Sequence, residues 1–436
     1  MISTTSVLPA ATPPLREDAS FIGLVGTAHL TSHFSQLLLA PLFPWLKDAF
    51  NASYAELGLL MSVFFVVSCA SQAAAGFAVD RYGPRPILLA GLAILGTAAL
   101  GFSFSHSYTM LLFFSALAGL GNGVFHPVDF TLLNRKVHAS RIGHAFSVHG
   151  ITGSLGWALA PALLVPLTLA YSWRTALLCA SALIFSVLAL MVVNRHRLAP
   201  PAAAESDQAS KPLSGSVSGF VSASASSSAV VPSSDFDFLK IPAVWMCFAF
   251  FFFNAAVLSA VQAFAPEAAR LLHAVPIAAA AMCLTIYMVS SAGGMVLGGF
   301  LASDPARCER VIAWGYGLSA MVALAMAWVD VPGAIVPMMF GLMGFASGTA
   351  GPSRDLIVKS AAPANATGRV YGVVYSGLDI GQAVAPLLFG SLMDHGQPMH
   401  VWVGIAALQV VLIGSAFNVG RVRRTASLAA APGGAA

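Results

Sequence analysis

Apolar residues in this chain arrive in long blocks separated by short polar punctuation, with neither the strict alternation of a half-buried strand nor the single apolar stripe of a soluble helix. A hydropathy window of about 19 residues predicts apolar helices near 21–46, 54–79, 86–105, 108–134, 143–169 and 172–194. After a gap, six more follow near 241–265, 276–302, 309–328, 332–359, 369–391 and 399–419. Each is long enough to cross a bilayer, which takes about 20 apolar residues. The gap contains SKPLSGSVSGFVSASASSSAVVPSS, a Ser/Ala/Gly/Pro tract without helical period that reads as a flexible linker. The expected division is a disordered tail at 1–20, a six-helix bundle at 21–194, the linker at 195–239, a second bundle at 240–420 and a tail at 421–436.

Composition agrees with this division and removes alternatives. Of 436 residues, 58% are hydrophobic and 9% charged, with a mean hydropathy of +0.81, so no large soluble domain fits. The net charge of +4 rests on 21 scattered Lys and Arg, not on the clustered basic stripe of a nucleic-acid surface. Five cysteines without a CxxC pair read as small buried hydrophobes, neither metal site nor disulfide frame. Residues 1–20 are polar and proline-rich, unlike a secretory signal.

Sliding the chain by 225 residues reveals an internal repeat: Gly119, Gly123 and Pro127 fall on Gly344, Gly348 and Pro352. At the same offset Gly143, Gly156 and Pro161 fall on Gly368, Gly381 and Pro386, and Pro41 falls on Pro266. A duplicated six-helix unit is the economical reading, giving an all-α polytopic membrane protein of twelve transmembrane helices in two pseudo-symmetric six-helix bundles. Alternate loops then place 17 of the 21 Lys and Arg on the side shared by the termini and the linker. Lys47, Arg174 and Arg270 fall opposite, and Arg354 falls within a span. By the positive-inside rule both termini are cytoplasmic, in a multi-pass protein of the inner membrane.

Between the second and third spans stands GFAVDRYGPRP, with Gly76, Asp80, Arg81, Gly83 and Arg85. A carboxylate ending one helix lies within reach of a basic turn, and Gly76 one turn earlier offers room for a neighbouring helix. The loop resembles the G-x-x-x-D-R-x-G-R/K-R/K signature of the major facilitator superfamily, departing from it at Pro84 and Pro86. ALAGLGNGVFHPVDF (116–130), RIGHAFSVHGITGSLGWALAP (141–161) and TAHLTSHFSQ (27–36) resemble that superfamily's fosmidomycin-resistance branch. The resemblance implies the major facilitator fold, a charge latch at the Asp80 loop, and alternating access. Departures fall on Val128, where the branch usually has an acidic residue that here comes one step later as Asp129. They fall also on His33 in place of an acid, and on Ser147-Val148-His149-Gly150, where the branch tends to carry Gln-Val-Gly-Gly.

Ionisable groups inside a bilayer are costly, so each is a candidate for function. His29, His33 and Gln36 form one polar stripe on the first helix, and Asn122, His126 and Asp129 share that spacing on the fourth. The stripe suits a cavity wall, a proton relay or interhelical hydrogen bonding, and H-x-x-x-H by itself is weak evidence for a metal; no metal or cofactor is assigned. The repeat carries Asp129 onto Arg354, and the two are expected to approach across the pseudo-two-fold axis as part of a gate. On the eleventh helix Tyr371, Tyr375, Asp379, Gln382 and Pro386 share a face, making Asp379 the leading proton-site candidate. His149 is a candidate cavity residue; His144, five positions earlier, points elsewhere. Asn254 falls where the repeat places His29. Gly119 to Gly123 tempts a nucleotide reading, but without a strand and turn before it the run reads as close helix packing.

These readings point to a secondary transporter of a small molecule, with the proton as coupling ion and the lipid bilayer as its setting. No nucleotide motif, catalytic cluster or nucleic-acid footprint accompanies it, so an enzyme is not expected. By resemblance, efflux by drug/proton antiport leads. Proton-coupled uptake of a small organic anion is the alternative, a channel or sensor a distant one, and a monomer the family's habit.

Overall fold

The computed structural model describes residues 15–198, 242–302, 307–361 and 368–430. Most of the linker therefore lies outside the described residues, as do the side chains of Tyr371 and Tyr375. Among the described residues every regular element is a helix, and none is a strand. The first bundle comprises α1 (Leu15–Gln36), α2 (Phe43–Phe50), α3 (Tyr54–Tyr82), α4 (Pro84–Ser103), α5 (Tyr108–Asn122), α6 (Phe125–Lys136), α7 (Ile142–Ala170) and α8 (Trp173–Val193). The second comprises α9 (Pro242–Ala263), α10 (Ala265–His273), α11 (Ile277–Leu301), α12 (Cys308–Trp328), α13 (Val336–Ala361), α14 (Gly368–Asp394) and α15 (Pro398–Ala430).

Among the described residues, nine spans are long and apolar enough to cross a membrane, α5 and α6 together counting as one. The other three long helices, α1, α13 and α14, bear the polar candidates His29, Arg354 and Asp379, the residues that lower a segment's hydropathy. Prolines set two departures from the predicted spans. The first span ends at Gln36, followed by a short 3₁₀ turn at Ala40–Leu42 and by α2, because Pro41 and Pro44 lack a backbone donor and crowd the preceding turn. The fourth span breaks between α5 and α6, where Pro127 cannot bond back to the Gly123 carbonyl. Both terminal helices extend into the expected tails: α1 starts at Leu15, where Asp18 Oδ2 accepts from Arg141 Nη1 at 2.7 Å, and α15 reaches Ala430.

The repeat governs packing as well as sequence. In the first bundle α1 packs on α7, α3 on α5 and α4 on α8; in the second, α9 packs on α14, α11 on α13 and α12 on α15. Three pairs of repeated glycines, Gly119 and Gly344, Gly123 and Gly348, and Gly156 and Gly381, lie at these crossings. A Cβ on Gly119 would overlap the Phe64 carbonyl of α3, and one on Gly344 the Tyr287 carbonyl of α11. Gly156 likewise abuts Leu30 of α1, and Gly381 abuts Phe252 of α9. Helices in a bilayer gain no hydrophobic drive against one another, so close backbone contact supplies the attraction. The seam between bundles follows the same symmetry, with α3 against α14 and α7 against α11.

That seam is tied on the side opposite the termini. There a capping box, Ser53 with Glu56, starts α3, and Asp394 at the end of α14 accepts from the Tyr54 and Ala55 backbone N–H groups at 2.7 and 2.8 Å. A carboxylate from one bundle thus caps a helix of the other, where the helix dipole favours negative charge. Tyr54 Oη donates to Glu267 Oε1 at 2.8 Å, and Glu267 receives Arg270 Nε and Nη2 at 2.7 and 2.8 Å. Those hydrogen bonds hold the Arg270 guanidinium above its ordinary pKa. One turn deeper, Gly58 abuts the Pro386 backbone, and Ser62 Oγ donates to the Ala383 carbonyl at 2.5 Å. Toward the termini, among the described residues, a Cβ at Gly76, Gly150 or Gly293 would meet nothing within 4 Å.

Candidate functional site

The polar stripe of α1 turns inward and meets α6 and α7. Asp129, fully buried, receives on Oδ2 both His29 Nδ1 at 3.0 Å and His149 Nε2 at 3.3 Å. The imidazoles of His29 and His149 stack with centroids 3.5 Å apart, and His33 and His126 stand 4.5 and 5.4 Å from the His29 ring. Trp157 covers His33 at 4.3 Å. Gly153 makes this crowding feasible, since a Cβ there would lie 2.9 Å from His33 Cε1 and 3.1 Å from His29 Nε2.

One turn further along α1, a neutral network continues the stripe. Asn122 Oδ1 accepts from Ser32 Oγ at 2.7 Å and from Gln36 Nε2 at 3.4 Å, while its Nδ2 donates to Ser68 Oγ of α3 at 2.8 Å. Gln36 Oε1 in turn accepts from Trp157 Nε1 at 2.9 Å. Four helices are thereby joined through side chains that the sequence pattern marks only one helix at a time.

Several sequence expectations change here. The hydrogen bonds of Asp129 go to two histidines of its own bundle and not to Arg354, because α6 turns that residue toward the α1–α7 crossing. Gly76 brings no helix close, since nothing lies within 4 Å of its Cβ position. Around it, α3 ends at Tyr82, Gly83 takes a positive φ of 82° suited to glycine, and α4 starts at Pro84. Asp80, Arg81 and Arg85 are exposed, with Arg81 over the Tyr82 ring. His144 is exposed and apart from His149.

In the second bundle the positions 225 residues beyond the four histidines are the neutral Asn254, Leu258, Gly351 and Val374, and the one beyond Asp129 is Arg354. Asn254, at the position of His29, accepts from Tyr316 Oη at 2.8 Å. Ser319 Oγ accepts from Ser347 Oγ at 3.0 Å and from Gln409 Nε2 at 2.6 Å. Gln382 is buried with Oε1 unpartnered, and half-buried Asp379 meets the Cys69 thiol of α3 across the seam. Cys69, Trp157, Ser68 and Tyr316 were missed by sequence reasoning. Each is a single polar or aromatic residue in an apolar run, and only its neighbour on another helix gives it meaning.

A family model described as Major Facilitator Superfamily matches residues 25–422. The chain belongs to that superfamily. This major facilitator chain is 25% identical over 194 residues to the fosmidomycin resistance protein of Escherichia coli K12, covering 43% of the chain and 46% of that protein. It is 29% identical over 149 residues to an uncharacterized MFS-type transporter, YfnC, of Bacillus subtilis, covering 33% and 36%. To the multidrug resistance protein MdtL of Escherichia fergusonii it is 29% identical over 165 residues, covering 37% and 42%. The chain thus spans less than half the length of each of these relatives. Over nearly its whole length it shares the fold of a bacterial homolog of the human lysosomal transporter Spinster, solved in an inward-facing and occupied conformation. That match has a TM-score of 0.73 and 13% identity and covers 94% of this chain and 98% of the other.

Proposed function

We propose that this protein is a proton-coupled secondary transporter that exports a small molecule by rocking its two bundles around a central site. The observation that carries this reading is the one-sided seam. Polar and glycine contacts tie α3 to α14 opposite the termini, while the latch loop with Asp80, Arg81 and Arg85 stands exposed at the other end. Alternating access needs such a pair of surfaces, one fastened while the other is free. The distribution of basic loops supports a cytoplasmic free end in the inner membrane, and the transporting unit in this scheme is a monomer. Asp379 is the proton carrier in this scheme. It sits on the seam beside Cys69, where a change in bundle contact changes its access to water. Gln382 on the same helix and Asn254 opposite line the substrate route.

Efflux is favoured by the names of two relatives, which refer to resistance. Fosmidomycin is accordingly the first compound to test, in proteoliposomes carrying an internal pH-sensitive dye. Fosmidomycin added under an imposed pH gradient is expected to drive proton movement by the native protein. Asp379→Asn is expected to abolish that movement while leaving fosmidomycin exchange across the membrane intact. Unchanged pH dependence in Asp379→Asn removes Asp379 as carrier, and unsaturable flux in the native protein removes the transporter reading.

A further inference from the structure

A single H-x-x-x-H on α1 did not justify a metal, but the tertiary structure adds ligands from two other helices. One ring nitrogen from each of His29, His126 and His149 lies within 4.8 Å of the others, and Asp129 Oδ2 bridges His29 Nδ1 and His149 Nε2 at 3.0 and 3.3 Å. We propose that this cluster binds one divalent first-row transition-metal ion inside the amino-terminal bundle, with His33 alongside as a further donor.

The unsatisfied atoms support an occupant. Asp129 Oδ1, His126 Nδ1 and both ring nitrogens of His33 are buried without a hydrogen-bond partner, all in one group. His33 is 9% exposed and Asp129 0%. Buried polar atoms are normally paired, so four orphans around one point call for a cation or an ordered guest. The histidines that do have partners are set up as ligands: a neutral ring that donates one N–H to Asp129 keeps its other nitrogen as a lone pair. Metal-binding histidines are commonly oriented by a carboxylate in this way. The carboxylate also offsets the charge of the ion.

Size and access are consistent with such a guest. Bonds of about 2.0–2.1 Å in a tetrahedral site put ligand atoms about 3.4 Å apart. The cluster is therefore somewhat wide and closes by side-chain rotation, for which Gly153 leaves room. His126 is only half-buried, and Gly150, next to His149, has open space beside it, giving the ion an entry. An imidazole-rich set with one carboxylate and no thiolate suits Zn²⁺, Co²⁺ or Ni²⁺ better than Ca²⁺, Mg²⁺ or Cu⁺. All ligands belong to α1, α6 and α7, so the ion resides in one bundle and is not passed across the seam.

The test uses the full-length protein, tag removed and freed of metal by chelation, in detergent. On equilibration with Zn²⁺ it is expected to retain one ion per chain by elemental analysis, and X-ray absorption at the zinc edge is expected to show at least three imidazole ligands. His126→Ala and His149→Ala are each expected to weaken Zn²⁺ binding at least tenfold, while His144→Ala, which alters an exposed histidine outside the cluster, leaves it unchanged. Retention of less than half an ion per chain by the native protein, or a zinc shell dominated by oxygen or sulfur, overturns the proposal. So does unaltered affinity in the two cluster variants. The zinc-edge spectrum needs no variant to fold, and none of these readings depends on proton coupling at Asp379.

Discussion

Tyr54→Phe removes one oxygen from the seam and nothing else, so its effect can be worked through. In the native protein that hydroxyl donates 2.8 Å to Glu267, with Tyr54 8% exposed and Glu267 5% exposed. A hydrogen bond to a charged acceptor contributes about 1.5–3 kcal/mol. Glu267 keeps both of its bonds to Arg270 when the hydroxyl goes, so the carboxylate is not stranded and the lower figure applies. About 1.5 kcal/mol corresponds to a roughly tenfold shift in the equilibrium between the form fastened opposite the termini and the form open there. Spin labels at Asn51 and Gln397, exposed positions in the loops after α2 and α14, report that equilibrium by pulsed dipolar spectroscopy in a background without the native cysteines. The ratio of long to short distances is expected to rise about tenfold. A change below twofold would refute the idea that this hydroxyl helps to fasten the bundles.

Two further outcomes follow from the same geometry. Gly58→Ala places a Cβ against the Pro386 backbone, and an overlap with backbone costs about 1–3 kcal/mol; the same labels are expected to show the ratio of long to short distances raised at least about fivefold. Asn122→Leu strands Ser32, Gln36 and Ser68 in a buried network, at about 1–3 kcal/mol for each group that finds no substitute. Thermal unfolding in detergent is expected to show a lower midpoint than Ser32→Ala, which removes only one of those bonds.

The placement of most helices, the two-bundle plan and the duplication were legible in the sequence, because each rests on local causes. A bilayer demands an apolar run of a given length, proline interrupts a backbone ladder wherever it falls, and a glycine repeated at a 225-residue offset marks a helix crossing in both halves. The polar stripe on α1 was legible for the same reason: 3.6-residue periodicity places His29, His33 and Gln36 on one face whatever lies opposite. What lies opposite was decided by tertiary packing alone. Symmetry of the repeat suggested that Asp129 would face Arg354, yet the crossing of α1 and α7 at Gly153 and Gly156 brings His29 and His149 to that carboxylate instead. Partners 100 residues apart, as His29 and Asp129 are, meet through the rotation and depth of whole helices. Those depend on small residues summed over several interfaces, and no single helix's periodicity contains them.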